Sequence, residues 1–117
     1  MEARAAAAGV AEPRLLKDPR NAPRAVRVMD LATRRLSEDP DPKSDEHQTL
    51  KQGLSYCWSV VAAAYPEETK PAMEVWFTFA NKDVRQVMKE NLKKNRLAKA
   101  EPEWAAAWRR RLEREDS

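Results

Sequence analysis

Five cations recur at steps of three and four along one stretch of this chain: Lys82, Arg85, Lys89, Lys93 and Arg96. At about 100° per residue in a helix, that spacing gathers them on one side. Between Lys82 and Lys99 there are seven Lys or Arg against two acids, Asp83 and Glu90. Such a face can hold phosphates and give a salt-sensitive contact with nucleic acid. It can also present a recognition surface to a protein, or be a solvated helix surface, with Arg85 paired to Asp83 of a neighbouring repeat or capping a helix end. Val84, Val87, Met88 and Leu92 fall on the other side, so one face packs while the other presents charge.

No further constellation points to chemistry. His47 stands near a helix start with no second histidine, which does not make a metal site. Cys57 lies on an apolar stripe and reads as a buried, inert thiol. The chain has no phosphate-cradling glycine loop, no Ser-His-Asp set and no paired-carboxylate motif. No catalytic residue, no metal and no cofactor is expected. Trp58, Trp76, Phe77 and Phe79 sit at core spacing. Trp104 and Trp108 read as the pair that docks a last helix, or as a partner-binding patch if exposed.

The elements that must position these residues are helices. Two Gly, eight Pro and few β-branched runs in 117 residues give an all-helical composition for one small domain. The pattern predicts helices over about 23–37, 45–64, 66 or 69 to 80, 81–99 and 103–115. Pro23 fits a first turn with Asn21 or Ala22 at the cap, Ser44 or Asp45 is a second cap, and Asn81 a third. Pro71 argues for a late start of the third helix or a place in its first turn, because an interior proline costs about 3 kcal/mol. Residues 1–22 read as an Ala/Pro-rich N-terminal segment, frayed helix at first and then an apolar turn at Leu15-Leu16. Residues 23–117 read as the helical domain.

A single cysteine leaves no disulfide framework, and no apolar run approaches the ~18 residues of a membrane span. The N-terminus is a poor signal peptide. Cytoplasmic location and no membrane partner are therefore the expectations. The net charge of +3 says little by itself about partners.

Leu50-Lys51-Gln52-Gly53-Leu54 overlays Val84-Arg85-Gln86-Val87-Met88 at an offset of 34 positions, each helix preceded by a proline-bounded one. With Gly53-Leu54-Ser55-Tyr56-Cys57-Trp58-Ser59-Val60, Asp83-Val84-Arg85 and Glu90-Asn91-Leu92-Lys93-Lys94, this stretch resembles the small bacterial HEAT-like proteins. The resemblance implies an all-α, short HEAT-like α-solenoid: antiparallel helix pairs, closed by a C-terminal capping helix, with a groove lined by second helices. Thr49-Leu50-Lys51 stands where the family's Asp-Val-Arg is expected in the first unit. Distant similarity to DNA alkylation-repeat proteins implies a cationic concave face around duplex DNA, without carrying over an active site. The expectation is thus a non-catalytic scaffold that binds a macromolecule, a protein first, through Lys82, Arg85, Lys89, Lys93 and Arg96. The alternative is a DNA-binding module using the same stripe. A further expectation is self-association through an exposed solenoid end.

Overall fold

In a computed structural model, which describes residues 15–115, two short 3-10 turns lead into six α-helices. The turns are Leu15–Lys17 and Pro19–Asn21. The helices are α1 (Ala22–Glu38), α2 (Asp45–Ala64), α3 (Pro66–Phe77), α4 (Lys82–Leu92), α5 (Asn95–Ala100) and α6 (Pro102–Glu115). The described residues are all-helical, as the composition implies. None of these helices is long and apolar enough to cross a membrane.

Local sequence sets the boundaries. Ser44 Oγ accepts from His47 N–H at 3.1 Å and caps α2. Asn81 Oδ1 accepts from the N–H groups of Asp83 and Val84 and caps α4. Pro23 and Pro66 occupy first turns, where a missing N–H leaves no bond unmade. Tyr65 alone links α2 to α3.

α2 is the central element and touches α1, α3, α4 and α5. Leu54, Trp58 and Val61 on it are fully buried, alongside Met29 and Leu36 of α1, Met73 and Phe77 of α3, and Val87, Met88 and Leu92 of α4. Each such side chain contributes about 1.5–3 kcal/mol by leaving water. Polar atoms within this core have partners: Trp58 Nε1 donates to Thr33 Oγ1 at 2.9 Å, whose hydroxyl donates to Met29 O at 2.8 Å. Asn91 is wholly buried. Its Nδ2 donates to Leu54 O and Val87 O, and its Oδ1 accepts from Ser59 N–H, joining α4 to α2.

Cross-links fix the layers. Tyr65 Oη donates to Asp18 O, Trp76 Nε1 to Asp30 Oδ1 and Asn81 Nδ2 to Ser37 O. Both strands of chain advance together between these bonds, so α1 and α3 lie side by side in the same direction. The links His47–Asp83, Lys51–Gln86 and Leu54–Asn91 place α2 and α4 side by side in the same way. The molecule is 20 Å thick along its shortest axis, the depth of two helix layers at about 10 Å each.

Several expectations change. The fourth helix does not run to residue 99; it ends at Leu92, Lys94 turns extended, and α5 restarts at Asn95. The reason is phase. Continued as one helix, Leu97 would lie about 140° from Leu92, off the buried stripe. The break turns Leu97 inward, where it is fully buried. Pro71 is inside α3, not in its first turn. It is exposed, as is Glu67, whose carbonyl loses the usual partner, so water can serve that group. Burial of Met73, Trp76 and Phe77 outweighs the cost. Phe79 is exposed rather than core, and Leu31 on α1 is exposed as well. Leu15–Lys17 packs onto α2 and Pro19–Asn21 onto α1, with Asp18 O accepting from Tyr65 Oη, while the expectation for residues 1–12 lies outside the described residues. Trp104 and Trp108 do dock α6, with ring centroids 5.6 and 4.7 Å from that of Phe77.

Candidate functional site

Three of the five stripe cations converge. Lys82, Arg85 and Lys89, with Ala80 and Gln86, line an open groove of about 660 Å³ along α4. Their spacing of three and four keeps them on one helix side while Val84, Val87 and Met88 anchor the opposite side in the core. Lys82 is exposed and Lys89 half-buried. Arg85, also half-buried, donates from Nη1 to Phe77 O at 3.5 Å and places Nη2 3.6 Å from Glu115 Oε2. The other two residues do not join them. Lys93 lies beyond the end of α4 and pairs with Glu90 at 3.6 Å, and Arg96 is exposed on α5. The helix break thus shortens the stripe.

Behind the groove is a polar network that the sequence did not single out. His47 is buried, with its Nδ1 2.9 Å from Asp39 Oδ2 and its Nε2 2.8 Å from Asp83 Oδ2. Carboxylates only accept, so the imidazolium form satisfies both contacts. Lys51 Nζ donates to Asp83 Oδ1 at 3.1 Å and also bonds Gln86 Oε1. The acid nearest the groove cations in sequence is therefore turned inward and neutralised from α2, not paired to Arg85. Among the described residues no carboxylate lines the groove itself, Glu115 standing at its edge beside Arg85, and the network pins the first two turns of α4.

The same contacts set the protonation states. Burial by itself would lower the His47 pKa, but the hydrogen bonds and charges of Asp39 and Asp83 outweigh it and the net shift is upward. Burial would raise Asp83; His47 and Lys51 reverse this and hold its carboxyl below the usual range. Asp39 is also held low, first by the Asp41 N–H and then by His47. Neither ring nitrogen of His47 faces a hydroxyl or thiol. In this arrangement the residue acts as a bridge between the α1–α2 connection and α4.

One signal could have found this network. The offset of 34 overlays α2 on α4, and two such helices lying side by side bring residues 47–51 opposite 83–86. Cys57 is buried and not in a disulfide, and among the described residues no His, Cys, Asp and Glu cluster could hold a metal. No protein-family model matches the chain, and no curated protein or solved structure matches it either.

Proposed function

We propose that this chain is a non-catalytic helical-repeat scaffold that binds an acidic segment of a protein partner in the α4 groove. The observation that carries this is the groove itself: three cations on one wall, no carboxylate among the described lining residues, and the adjacent Asp83 turned away. Carboxylates of a partner would meet these clustered cations through charge-assisted hydrogen bonds.

Support for the HEAT-like repeat comes from three features. Asp39 meets His47 while Thr33 meets Trp58, which fits an antiparallel first pair. The parallel course of α1 with α3 and of α2 with α4 fits two stacked pairs. The overlay also preserves facing: Leu50 and Val84, Gly53 and Val87, and Leu54 and Met88 are all buried. On this reading α6 is the capping helix and α4 is a second helix of its repeat, the position that lines the groove.

A protein is favoured over a duplex because the cations from Lys82 to Lys89 span only about 10 Å of helix axis. That suits a few carboxylates in one segment. Lys93 and Arg96, which would lengthen a phosphate track, lie beyond the break.

Fluorescence anisotropy with a labelled Glu/Asp-rich peptide and a labelled DNA duplex, each across a salt series, tests the proposal. The Lys82→Glu, Lys89→Glu variant should weaken peptide binding by about tenfold or more, a loss of at least about 1.4 kcal/mol, with an unchanged circular dichroism spectrum. Unaltered peptide affinity in the variant would sink the assignment. Duplex binding with a steep salt slope that the variant abolishes would replace it with the nucleic-acid reading.

A further inference from the structure

The outer face of the α1–α3 layer carries a second surface. Trp76 Nε1 donates to Asp30 Oδ1 at 2.9 Å, so these two residues face each other across the seam between the helices. One residue step turns a side chain by about 100°. Met29, one step before Asp30, and Phe77, one step after Trp76, both point into the core and are fully buried. Because α1 and α3 run in the same direction, the opposite steps bring Leu31 and Val75 to the same outer side of the seam. They are 57% and 63% exposed. Phe79, 41% exposed, extends the strip with its ring 5.0 Å from that of Trp76. The seam floor is closed by the Trp76–Asp30 hydrogen bond, which satisfies the indole there.

Charge surrounds this apolar strip. Arg27 and Arg34 are four residues before and three after Leu31, on the same side of α1, and both are exposed. Arg24 and Arg35, seven residues before and four after Leu31, lie on that side as well and are exposed too. The acids on α1 are Asp30, which already accepts from Trp76, and Glu38 at its end. On α3, Glu67 and Glu68 are in the first turn, and Glu74 accepts from Trp104 of α6. The centre of the strip is therefore apolar with an arginine rim.

We infer that the α1–α3 seam docks an amphipathic helix with an apolar stripe and acidic flanks. The shape argument is that two parallel helices with axes about 8–10 Å apart leave a shallow trough that accepts the stripe of a third. The charge argument is that glutamates or aspartates beside that stripe meet Arg27 and Arg34. This surface is separate from the α4 groove and does not rest on the groove's assignment.

The probe is a fluorescein-labelled synthetic helical peptide with leucines at alternating steps of three and four, flanked by glutamates. A lysine-flanked peptide and one with serine for leucine serve as comparisons. Anisotropy should show the glutamate-flanked peptide binding best. The Leu31→Gln, Val75→Gln variant removes the apolar strip at exposed helix positions, where glutamine is a good helix former. It should abolish binding while keeping the wild-type melting temperature. Arg27→Glu with Arg34→Glu should weaken the glutamate-flanked peptide about tenfold and strengthen the lysine-flanked one. Lys82→Glu with Lys89→Glu should leave seam binding in place. The inference is overturned by failure of the glutamate-flanked peptide to bind, or by binding that survives Leu31→Gln, Val75→Gln. Two alternative occupants would also overturn it. One is a wild-type dimer by sedimentation that this variant renders monomeric, which assigns the strip to a second copy. The other is binding to phosphatidylserine vesicles without binding to the peptide.

Discussion

A buried histidine between two carboxylates, with a lysine on the far side of one of them, ties stability to pH at the scale of single residues. The folded state raises the His47 pKa, so it binds that proton more tightly than the unfolded chain does. The resulting stability is fully present below the unfolded histidine value of about 6.5. It is lost as pH rises through the higher folded value. Asp39 and Asp83 work in the other direction. Their contribution is present above about pH 4, the ordinary carboxylate range, and is lost as pH falls through their lowered folded values. Melting temperature should therefore be highest between about pH 4 and 6.5, and fall toward pH 8 as well as toward pH 2. His47→Gln should remove about 1–3 kcal/mol at pH 6 by leaving a carboxylate without its charged donor. It should also flatten the alkaline limb, which thermal melts by circular dichroism at successive pH values would show. An alkaline limb unchanged in the variant would assign that pH dependence to other groups. This network was illegible in sequence for a physical reason. The partners of His47 are Asp39 in a loop and Asp83 on a different helix, and only the packing of α2 beside α4 brings them together. The lone histidine that makes no metal site is the residue that fastens the groove helix.

At the scale of elements, periodicity and caps specified much of the fold. Leu50, Leu54, Cys57 and Val61 recur at three and four and are all buried, and α2 spans 45–64 as the pattern requires. At two places a local rule yields to tertiary packing. The basic run read to Lys99 as one helix leaves Leu97 out of phase with Leu92, and the break at Lys94 brings Leu97 into the core while Asn95 stays exposed. Pro71 by itself argues for a late start or a first-turn place, because proline disfavours interiors. The prior start at Pro66 wins because Thr69 is drawn into the core, with its N–H on Tyr65 O at 3.0 Å and its hydroxyl on Val61 O at 3.5 Å. The misplaced proline yields a prediction. Pro71 is exposed and its side chain has little packing to lose, so Pro71→Ala restores an N–H for Glu67 O and removes a ring from the helix interior. The gain should be about 1–2 kcal/mol, less than the full ~3 kcal/mol propensity difference because proline also restrains the unfolded chain. A higher urea midpoint with an unchanged slope would show it. A lower midpoint would mean that the ring stabilises α3 in a way its exposure does not reveal.

Across the whole molecule, the last helix reaches back to the binding helix. Trp104 and Trp108 seat α6 against Phe77, Arg111 lies over the Trp108 ring with its guanidinium carbon 4.7 Å from the centroid, and Lys70 bonds Glu101 at the turn before α6. This docking carries the end of α6 to the groove, where Glu115 comes within 3.6 Å of Arg85. The sequence made the tryptophan pair readable as a docking device, but not the position of Glu115, because that depends on the angle at which α6 crosses α4. If the groove receives carboxylates, Glu115 is an internal competitor for one of its three cations. The pair is 3.6 Å long and its acid is about half exposed, so its attraction is modest; opposite charges near 4 Å in water are worth about 1 kcal/mol. Glu115→Gln should therefore tighten binding of the acidic peptide by about two- to fivefold at low salt, without altering the melting temperature by more than a degree or two. The gain should vanish near 1 M salt, where the screening length falls to about 3 Å. Combining Glu115→Gln with Lys82→Glu and Lys89→Glu should give no gain, since the remaining wall no longer attracts carboxylates. Equal peptide affinity in wild type and Glu115→Gln at low salt would place the peptide away from Arg85, and a gain that persists at 1 M would make the change one of packing rather than charge.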